Sequence, residues 1–185
     1  MPMEITIKTH PPEINGIMQL VEATKIFPYL TFVGEKSWQS FDGYYCAYRD
    51  QSFAGVLAVN RIGGWVKLGP LAVLPEHQGY SIATKLIQQA VSSEKDNIYL
   101  ASANPSVWKI AQRLGFQESF TWANLPLAVR MIYFKMSIRV LLCGESLHFI
   151  KEVLRKQRIA NVHGHQHFVY SGVQYNSRSC IINTC

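Results

Sequence analysis

The sequence predicts an α/β (α+β) protein in which a mixed, mostly antiparallel central sheet is flanked by helices. Three strand-like runs, at 44–50, 53–62 and 65–74, follow one another with only two residues in each gap. Gaps of that length join antiparallel neighbours in hairpins. After residue 80 the apolar side chains recur at helical spacing instead. The composition, 48% hydrophobic and 16% charged, supplies a packed core and excludes a disordered chain.

The flanking elements follow in order. Residues 4–10 alternate in the manner of a strand, and after two prolines residues 14–24 carry apolar side chains at helical spacing. Residues 25–41 predict the remnant of a helix and a loop. Beyond the hairpin strands we expect a helix from Ser81, a short strand at 97–103 and a further helix.

That further helix has recognisable ends. Asn104 suits an N-cap, Pro105 suits the first helical position, and Gly115 stands where a left-handed residue closes a helix. Residues 116–136 predict two more strands. The expected order over residues 1–136 is therefore β-α-β-β-β-α-β-α-β-β, which forms one domain.

Residues 137–185 predict a small C-terminal appendage, or the arm of a homodimer, with a strand at 138–143, a helix at 147–158 and a strand at 167–173. The net charge of the chain is +6, and this last quarter holds six basic against two acidic side chains. The densest basic cluster, 151–158, is typical of a solvated helix face, which we favour over a nucleic-acid contact.

Several classes of protein are excluded by the same inspection. No run of 18 apolar residues is present, so we expect neither a transmembrane helix nor a membrane partner. The first residues lack a secretory pattern, which favours the cytoplasm. Because they form no CxxC pair, we expect free thiols at the four cysteines, which are Cys46, Cys143, Cys180 and Cys185.

The stretch 68–86 joins a strand, a turn containing Gly79 and the start of a helix. Such a turn presents consecutive backbone N–H groups, and the helix N-terminus adds its partial positive charge. A diphosphate fits this arrangement, although a single glycine also serves merely to permit a tight turn. We call residues 78–83 the cradle.

The same stretch resembles the acyl-CoA signature of the GNAT superfamily of N-acetyltransferases. That signature follows a strand and a proline and has the form Gln or Arg, any two residues, Gly, any one residue, then Gly or Ala. In this chain Gln78 stands at its first position, Ser81 at the position of the Gly, and Ala83 at its last position. A second family block, an Asn-led helix ending in Leu-Gly-Phe, is matched by Asn104 and residues 114–116. The resemblance covers roughly residues 4–136 and implies a GNAT-like fold.

The resemblance also implies the roles of particular residues. Acetyl-CoA would be the co-substrate, its pantetheine arm paired with the end of a strand where one N–H polarises the thioester carbonyl. The cradle amides would hold the diphosphate, and Asn104 would either meet the pantetheine or cap its helix. The implied cofactor-binding residues are Leu71, Ala72, Val73, Gln78, Gly79, Tyr80, Ser81, Ile82, Ala83 and Asn104.

Two positions depart from the family pattern. Ser81 replaces a usual glycine, which requires a negative φ or some strain. Ala111 stands four residues before Gly115, where many members carry a tyrosine that protonates the departing thiolate. Tyr80 and Tyr133 are candidate substitutes, and structural packing also explains both.

The general base is equally open. The family often places a carboxylate on the strand before the signature, but residues 65–75 contain no Asp or Glu. Glu76 and His77, at the turn, are therefore the candidates, beside a relay through water. Glu76 also suits a solvent-facing or helix-capping role.

Two further clusters have competing explanations. Residues 25–41 occupy the place where this family builds its acceptor site, although aromatic side chains there also suit core packing. His163, His165 and His167 alternate like ligands on a strand, but no carboxylate is near in sequence, so we favour a polar surface strand and expect no metal. The candidate pocket residues are Phe27, Tyr29, Phe32 and Trp38.

These observations predict an acyl-CoA-dependent N-acyltransferase that moves acetyl to a primary amine of a small molecule or a protein, by direct attack in a ternary complex. The main alternative is a non-catalytic CoA-binding module for regulation or assembly, which Ala111 and the missing strand carboxylate favour. A third is a basic tail that docks RNA or an acidic partner.

Overall fold

Within the residues that the structure describes, the fold is built on a seven-stranded sheet with helices on both faces. The computed structural model describes residues 4–26, 33–119, 125–142, 151, 154 and 166–170. Spatial strand order is β1-β2-β3-β4-β5-β7-β6, and β4 pairs with β5 in parallel while every other pair is antiparallel. The strands are β1 Ile5–Lys8, β2 Gly43–Arg49, β3 Ser52–Ile62, β4 Trp65–Val73, β5 Asn97–Ser102, β6 Gln117–Ser119 and β7 Gln166–Tyr170.

Both predicted hairpins are confirmed, and their turns explain their registers. Asp50 and Gln51 connect β2 to β3 with φ values of 48° and 67°, and Gly63 and Gly64 connect β3 to β4 with φ values of 52° and 74°. Two consecutive left-handed residues match the right-handed twist of the flanking strands. Glycine adopts this conformation at no steric cost, whereas Asp50 and Gln51 do so against their Cβ atoms.

The helices divide between the two faces of the sheet. Apolar residues of α3 and α4 pack with Leu57 and Leu68 on one face, and those of α1 and α2 pack with Val56 and Ala72 on the other. The last helix, α5, covers Tyr99 on the same face as α1 and α2. The helices are α1 Ile14–Ile26, α2 Glu35–Trp38, α3 Ile82–Ser93, α4 Pro105–Arg113 and α5 Leu127–Leu142.

Helix α5 corrects two expectations. The second strand predicted within 116–136 and the strand predicted at 138–143 are both wrong, because the chain is helical from Leu127 to Leu142. The segment is apolar on almost every side, so periodicity does not separate a helix from a buried strand. Val129 and Ile132 face the core, while a second apolar stripe is exposed. That stripe consists of Leu127, Met131, Phe134, Ile138 and Leu142.

The C-terminal quarter contributes to the main sheet. The predicted strand at 167–173 corresponds to β7, between β5 and β6, with Phe168 fully buried in the core of the α3 face; residues 171–173 lie outside the described part of the chain. Lys151 and Leu154 are helical, and the other residues of the helix predicted at 147–158 lie outside the described part of the chain. The division into 1–136 and 137–185 stays a prediction, and its boundary falls inside α5.

Two smaller expectations can be compared with the described part of the chain. Cys46 is a free, buried cysteine, and the other three cysteines lie outside the described residues. Within the described ranges, none of the helices has both the length and the apolar character that a bilayer crossing requires.

Candidate functional site

The sheet opens where β4 and β5 part. Their parallel ladder runs from Trp65 and Asn97 to Leu68 and Leu100. Beyond that pair β4 continues along β3, and β5, which pairs with β7 from Ile98 to Ser102 on its other edge, no longer pairs with β4. We call the gap between the two diverging strand ends the fork.

The backbone on the β4 side of the fork is directed into the gap. Leu74 N donates to Ala54 O at 2.9 Å, and Ala72 is paired with Val56 in the same ladder. Because hydrogen-bonded pairs alternate along antiparallel strands, the peptide groups of Leu71 and Val73 point away from β3. The resemblance assigns Leu71, Ala72 and Val73 to the pantetheine arm. The peptide groups of Leu71 and the N–H of Val73 face the fork, whereas Val73 O accepts from the Gln78 side chain.

The cradle follows β4 directly, through one 3₁₀ turn at Pro75–His77. The Gln78 side-chain amide donates to Val73 O at 3.3 Å, which connects the turn to the end of the strand. The first hydrogen bond of α3 runs from Lys85 N to Ser81 O. Among the described residues, the amides of residues 79–84 have no backbone acceptor. These unpaired donors at a helix N-terminus suit an anion.

Two residues give the cradle its curvature. Gly79 has a φ of 84°, and a Cβ atom added there would meet nothing within 4 Å, so its backbone conformation is what requires glycine. Ser81 has a φ of 59° and makes no side-chain cap to the helix. Of the two options that the sequence left for Ser81, the structure therefore has the strained one.

Tyr80 lies at the rim of the cradle and is partly exposed. The Arg49 guanidinium carbon is 3.7 Å from the centroid of its ring, within the range of a cation–π contact. This places a positive charge from β2 beside the cradle, and nothing in the local sequence around Arg49 indicates that contact.

Asn104 and Ala111, at the start and near the end of α4, both lie in the described part of the chain. Asn104 Oδ1 accepts from Ser106 N at 2.9 Å, so the side chain caps α4, which is one of the two roles anticipated for it. Ala111 is fully buried in the core of the α3 face. It supplies no hydroxyl group, so the departing thiolate would need another proton source.

Tyr133 of α5 and Tyr99 of β5 are hydrogen-bonded through their hydroxyl groups, with 2.9 Å between the two oxygens. Burial raises the pKa of Tyr133 to about 12 and raises that of Tyr99 further. Both hydroxyls are therefore protonated at neutral pH. The Lys67 ammonium is 5.5 Å from the centroid of the Tyr133 ring.

Glu76 and His77 lie together in a different cleft, of about 490 Å³. Glu13 of the α1 end and Tyr48 of β2 also line it, and the β2–β3 hairpin closes one side. His77 Nδ1 is buried without a hydrogen-bond partner among the described residues. The two base candidates thus share one wall, at the turn that separates the fork from the cradle.

The predicted acceptor pocket is only partly described. Phe27, Tyr29 and Phe32 lie outside the described residues. Trp38 is fully buried and packs edge-on to Phe41, which is the core packing named above as the alternative. Of the histidines, His167 is in β7, while His163 and His165 lie outside the described part, within which no metal-binding cluster is found.

Sequence reasoning missed two polar residues at the fork. They are Lys67 of β4 and Asn60 of β3, and neither belongs to a motif that the sequence analysis identifies. Both interrupt apolar runs, WVKLG and LAVNRI, and that interruption was the available signal. Their proximity follows from strand register, which the sequence does not state.

A forked mixed sheet whose central strand leads into a turn and a helix N-terminus is the fold of the acyl-CoA-dependent N-acetyltransferases. The profile of the acetyltransferase (GNAT) family matches residues 15–116, more than half of the chain. The chain belongs to the GNAT superfamily of N-acetyltransferases. No protein of curated function matches it in sequence.

Solved structures agree on the fold at low identity. N-acetylglutamate synthase from Neisseria gonorrhoeae, complexed with coenzyme A and N-acetyl-glutamate, superposes with a TM-score of 0.60 at 16% identity, over 91% of this chain and 35% of that one. A GNAT acetyltransferase from Staphylococcus aureus Mu50 gives 0.52 at 16%, over 66% and 91%. The ribosomal-protein-S18-alanine N-acetyltransferase of Escherichia coli gives 0.51 at 15%, over 62% and 79%. This chain spans about a third of the synthase.

Proposed function

We propose that the protein transfers acetyl from acetyl-CoA to a primary amine. The observation that carries this proposal is the continuity of the fork and the cradle, which a single strand and one 3₁₀ turn connect. Pantetheine lying along Leu71 and Val73 would bring the thioester to the fork while the diphosphate meets the cradle amides of residues 79–83, since the Gln78 N–H already donates to Pro75 O at 3.2 Å. The coenzyme A in the Neisseria synthase structure supports the same cofactor.

The chemistry follows from this placement. The amine nitrogen attacks the thioester carbon, the carbonyl oxygen gains charge that a fork N–H stabilises, and the C–S bond then breaks. The leaving thiol has an ordinary pKa of about 8.5, so a thiolate leaves tolerably near neutral pH and water can return its proton. Preassembly of both substrates supplies much of the rate, which lessens the need for the tyrosine that Ala111 replaces.

The proton acceptor for the attacking amine is a separate part of the proposal. Glu76 and His77 are its candidates because they share a cleft next to the end of β4. Tyr80 and Tyr133 are the candidate proton donors to the thiolate. The raised pKa of Tyr133, about 12, makes it a poor acid and favours water in that role.

A second candidate function is a CoA-binding module without turnover. The burial of Ala111 and the absence of a carboxylate from β4 are the observations that favour it. The fold does not choose the acceptor, since its neighbours include enzymes named for glutamate and for a ribosomal protein. A homodimer, and cytoplasmic location, stay predictions.

The test compares two variants of one cradle residue. Ser81→Asp and Ser81→Asn both tolerate a left-handed backbone, and they differ by one negative charge. Calorimetry with acetyl-CoA should show at least about a tenfold weaker Kd for Ser81→Asp than for Ser81→Asn, because a carboxylate there repels the diphosphate. The difference should shrink in high salt.

Thiol release against a panel of amines then separates the two functions. Release with any amine supports the transferase. Tight, Ser81→Asp-sensitive binding without release across the panel would favour the regulatory module. Equal binding by both variants would contradict the cradle itself.

A further inference from the structure

A row of buried polar side chains crosses the sheet at the fork. Asn60 of β3 pairs with Lys67 of β4, and Lys67 pairs with Tyr99 of β5. Directly paired residues point to the same face, so all three lie on the face that α5 covers. Their exposed fractions are 0%, 7% and 0%. Burying three adjacent polar groups costs free energy that apolar side chains would not cost.

The groups in this row are mostly hydrogen-bond donors. An ammonium carries three donors and no acceptor, and the Lys67 charge is buried. Asn60 Oδ1 accepts from Arg139 Nη1 at 2.9 Å, which leaves the Asn60 amide nitrogen as a buried donor with no acceptor among the described residues. The Tyr99 hydroxyl lies in the same row and forms a hydrogen bond with the Tyr133 hydroxyl at 2.9 Å. Such a set suits an anion.

The ammonium also lies at the opening of the fork. Lys67 is one position before Leu68, the last residue of β4 that pairs with β5. Its Nζ is 3.9 Å from the place that a Cβ atom on Gly69 would take. Gly69 is the first residue of β4 beyond the ladder, so the charge reaches the point where the two strands part. The thioester, if it lies along Leu71, would be close by.

We propose that Lys67, with the Asn60 amide beside it, binds a carboxylate of the acceptor, so that the acceptor is an amino acid or a similar amine bearing an acid group. This inference rests on the proposed transferase function and names its substrate class. Ladder geometry puts the Cβ atoms of Asn60 and Lys67 about 5 Å apart, close enough for both to contact one carboxylate. Only a few bonds separate the amine of such an acceptor from its carboxylate, so anchoring the acid orients the amine toward the fork.

The experiment compares acceptors that differ only in charge. Thiol release is measured with α-amino acids and with their carboxamides, for the wild type and for Lys67→Met. We expect the wild type to prefer the amino acid, and Lys67→Met to lose roughly 30-fold or more in kcat/KM for the amino acid while the carboxamide changes little. Thermal unfolding checks that Lys67→Met is folded before its kinetics are compared, because the substitution also removes the contacts that the buried ammonium makes.

Two further variants sharpen the comparison. Lys109→Met removes a charge from the exposed face of α4 and should leave the preference unchanged. Lys67→Arg keeps the charge and should retain part of the preference for the amino acid. A structural role for Lys67 would not distinguish the two acceptors.

Each outcome decides something. Equal losses for both acceptors, or a wild type that prefers the carboxamide, would overturn the carboxylate site. If no amine releases thiol, the transferase proposal falls, and calorimetry of amino acid against carboxamide binding to the CoA complex tests the site separately. Binding of the amino acid that Lys67→Met abolishes would support the site even then, and absence of such binding would overturn it.

Discussion

Ser81 is the cradle residue whose backbone conformation is strained. Its φ of 59° directs the chain from the turn into α3, and a side chain in that conformation is strained. Gly79, two residues earlier, has a φ of 84° and carries no such strain. The cradle therefore holds one relaxed left-handed residue, Gly79, and one strained left-handed residue, Ser81. The sequence predicted the glycine turn, whereas for Ser81 it left a negative φ and strain as alternatives.

Replacing Ser81 by glycine should stabilise the protein. Removing the Cβ atom relieves the left-handed strain, and after the greater chain entropy of glycine is subtracted the expected gain is about 0.5–1 kcal/mol. Gly79→Ala should act in the opposite sense, by about 1 kcal/mol, because it introduces the same strain. Denaturant unfolding measures both. Loss of stability in Ser81→Gly would show that the hydroxyl holds the turn.

At the scale of elements, one carboxylate attaches α5 to the sheet. Asp42, in the turn before β2, accepts from Lys135 Nζ at 2.7 Å and from Arg139 Nη2 at 3.1 Å, and it also accepts from Arg61 N at 2.8 Å. Burial alone would raise the pKa of Asp42, but the hydrogen bonds from these residues outweigh it and hold that pKa below its ordinary value of 3.8.

Asp42→Asn should therefore loosen α5. At neutral pH the expected loss in the free energy of unfolding is about 1–3 kcal/mol, since hydrogen bonds to a charged group are broken. A depressed pKa stabilises the folded state above about pH 3.8, so the difference between variant and wild type should fade as pH drops below that value. Unfolding curves at pH 7 and pH 3 measure it. Asp50→Asn, at an exposed carboxylate, is the control and should change little.

Elements with a local signal were predicted well, and elements without one were not. The hairpins were found because two-residue gaps and strand alternation are local properties of the chain. Helix α5 was mistaken for strands because Val129 and Ile132 face the core while Met131 and Phe134 are exposed, which leaves no clear polar face. Its attachment through Asp42 joins residues far apart in sequence.

At the scale of the whole molecule, the sheet is completed by β7, the last described segment of the chain. Phe168 of β7 is fully buried among residues of β4, β5 and α3, in the main core. The position of β7 between β5 and β6 could not be predicted, because pairing between distant strands leaves no periodic trace in either one. The same limit hid the row formed by Asn60, Lys67 and Tyr99.

Phe168→Ala should accordingly destabilise the whole protein. Removing a fully buried ring costs about 3–5 kcal/mol, through lost burial and the cavity that remains. Phe134→Ala, on the exposed stripe of α5, is the matched control and should stay within about 0.5 kcal/mol. Cooperative unfolding by circular dichroism measures both. Equal small effects would mean that residues 166–170 are an appendage and not part of the core.

The place of β7 also bears on how the protein is made. Ribosomes deliver β5 and β6 first, and the strand that joins them only after a long further stretch of chain. Until residues 166–170 emerge, the edge of β5 opposite β4 is unpaired and β6 has no neighbour in the sheet. Nascent chains on one polysome hold identical open edges near one another during that interval. Strand order thus sets a period of translation in which β5 keeps an edge open to pairing with another strand.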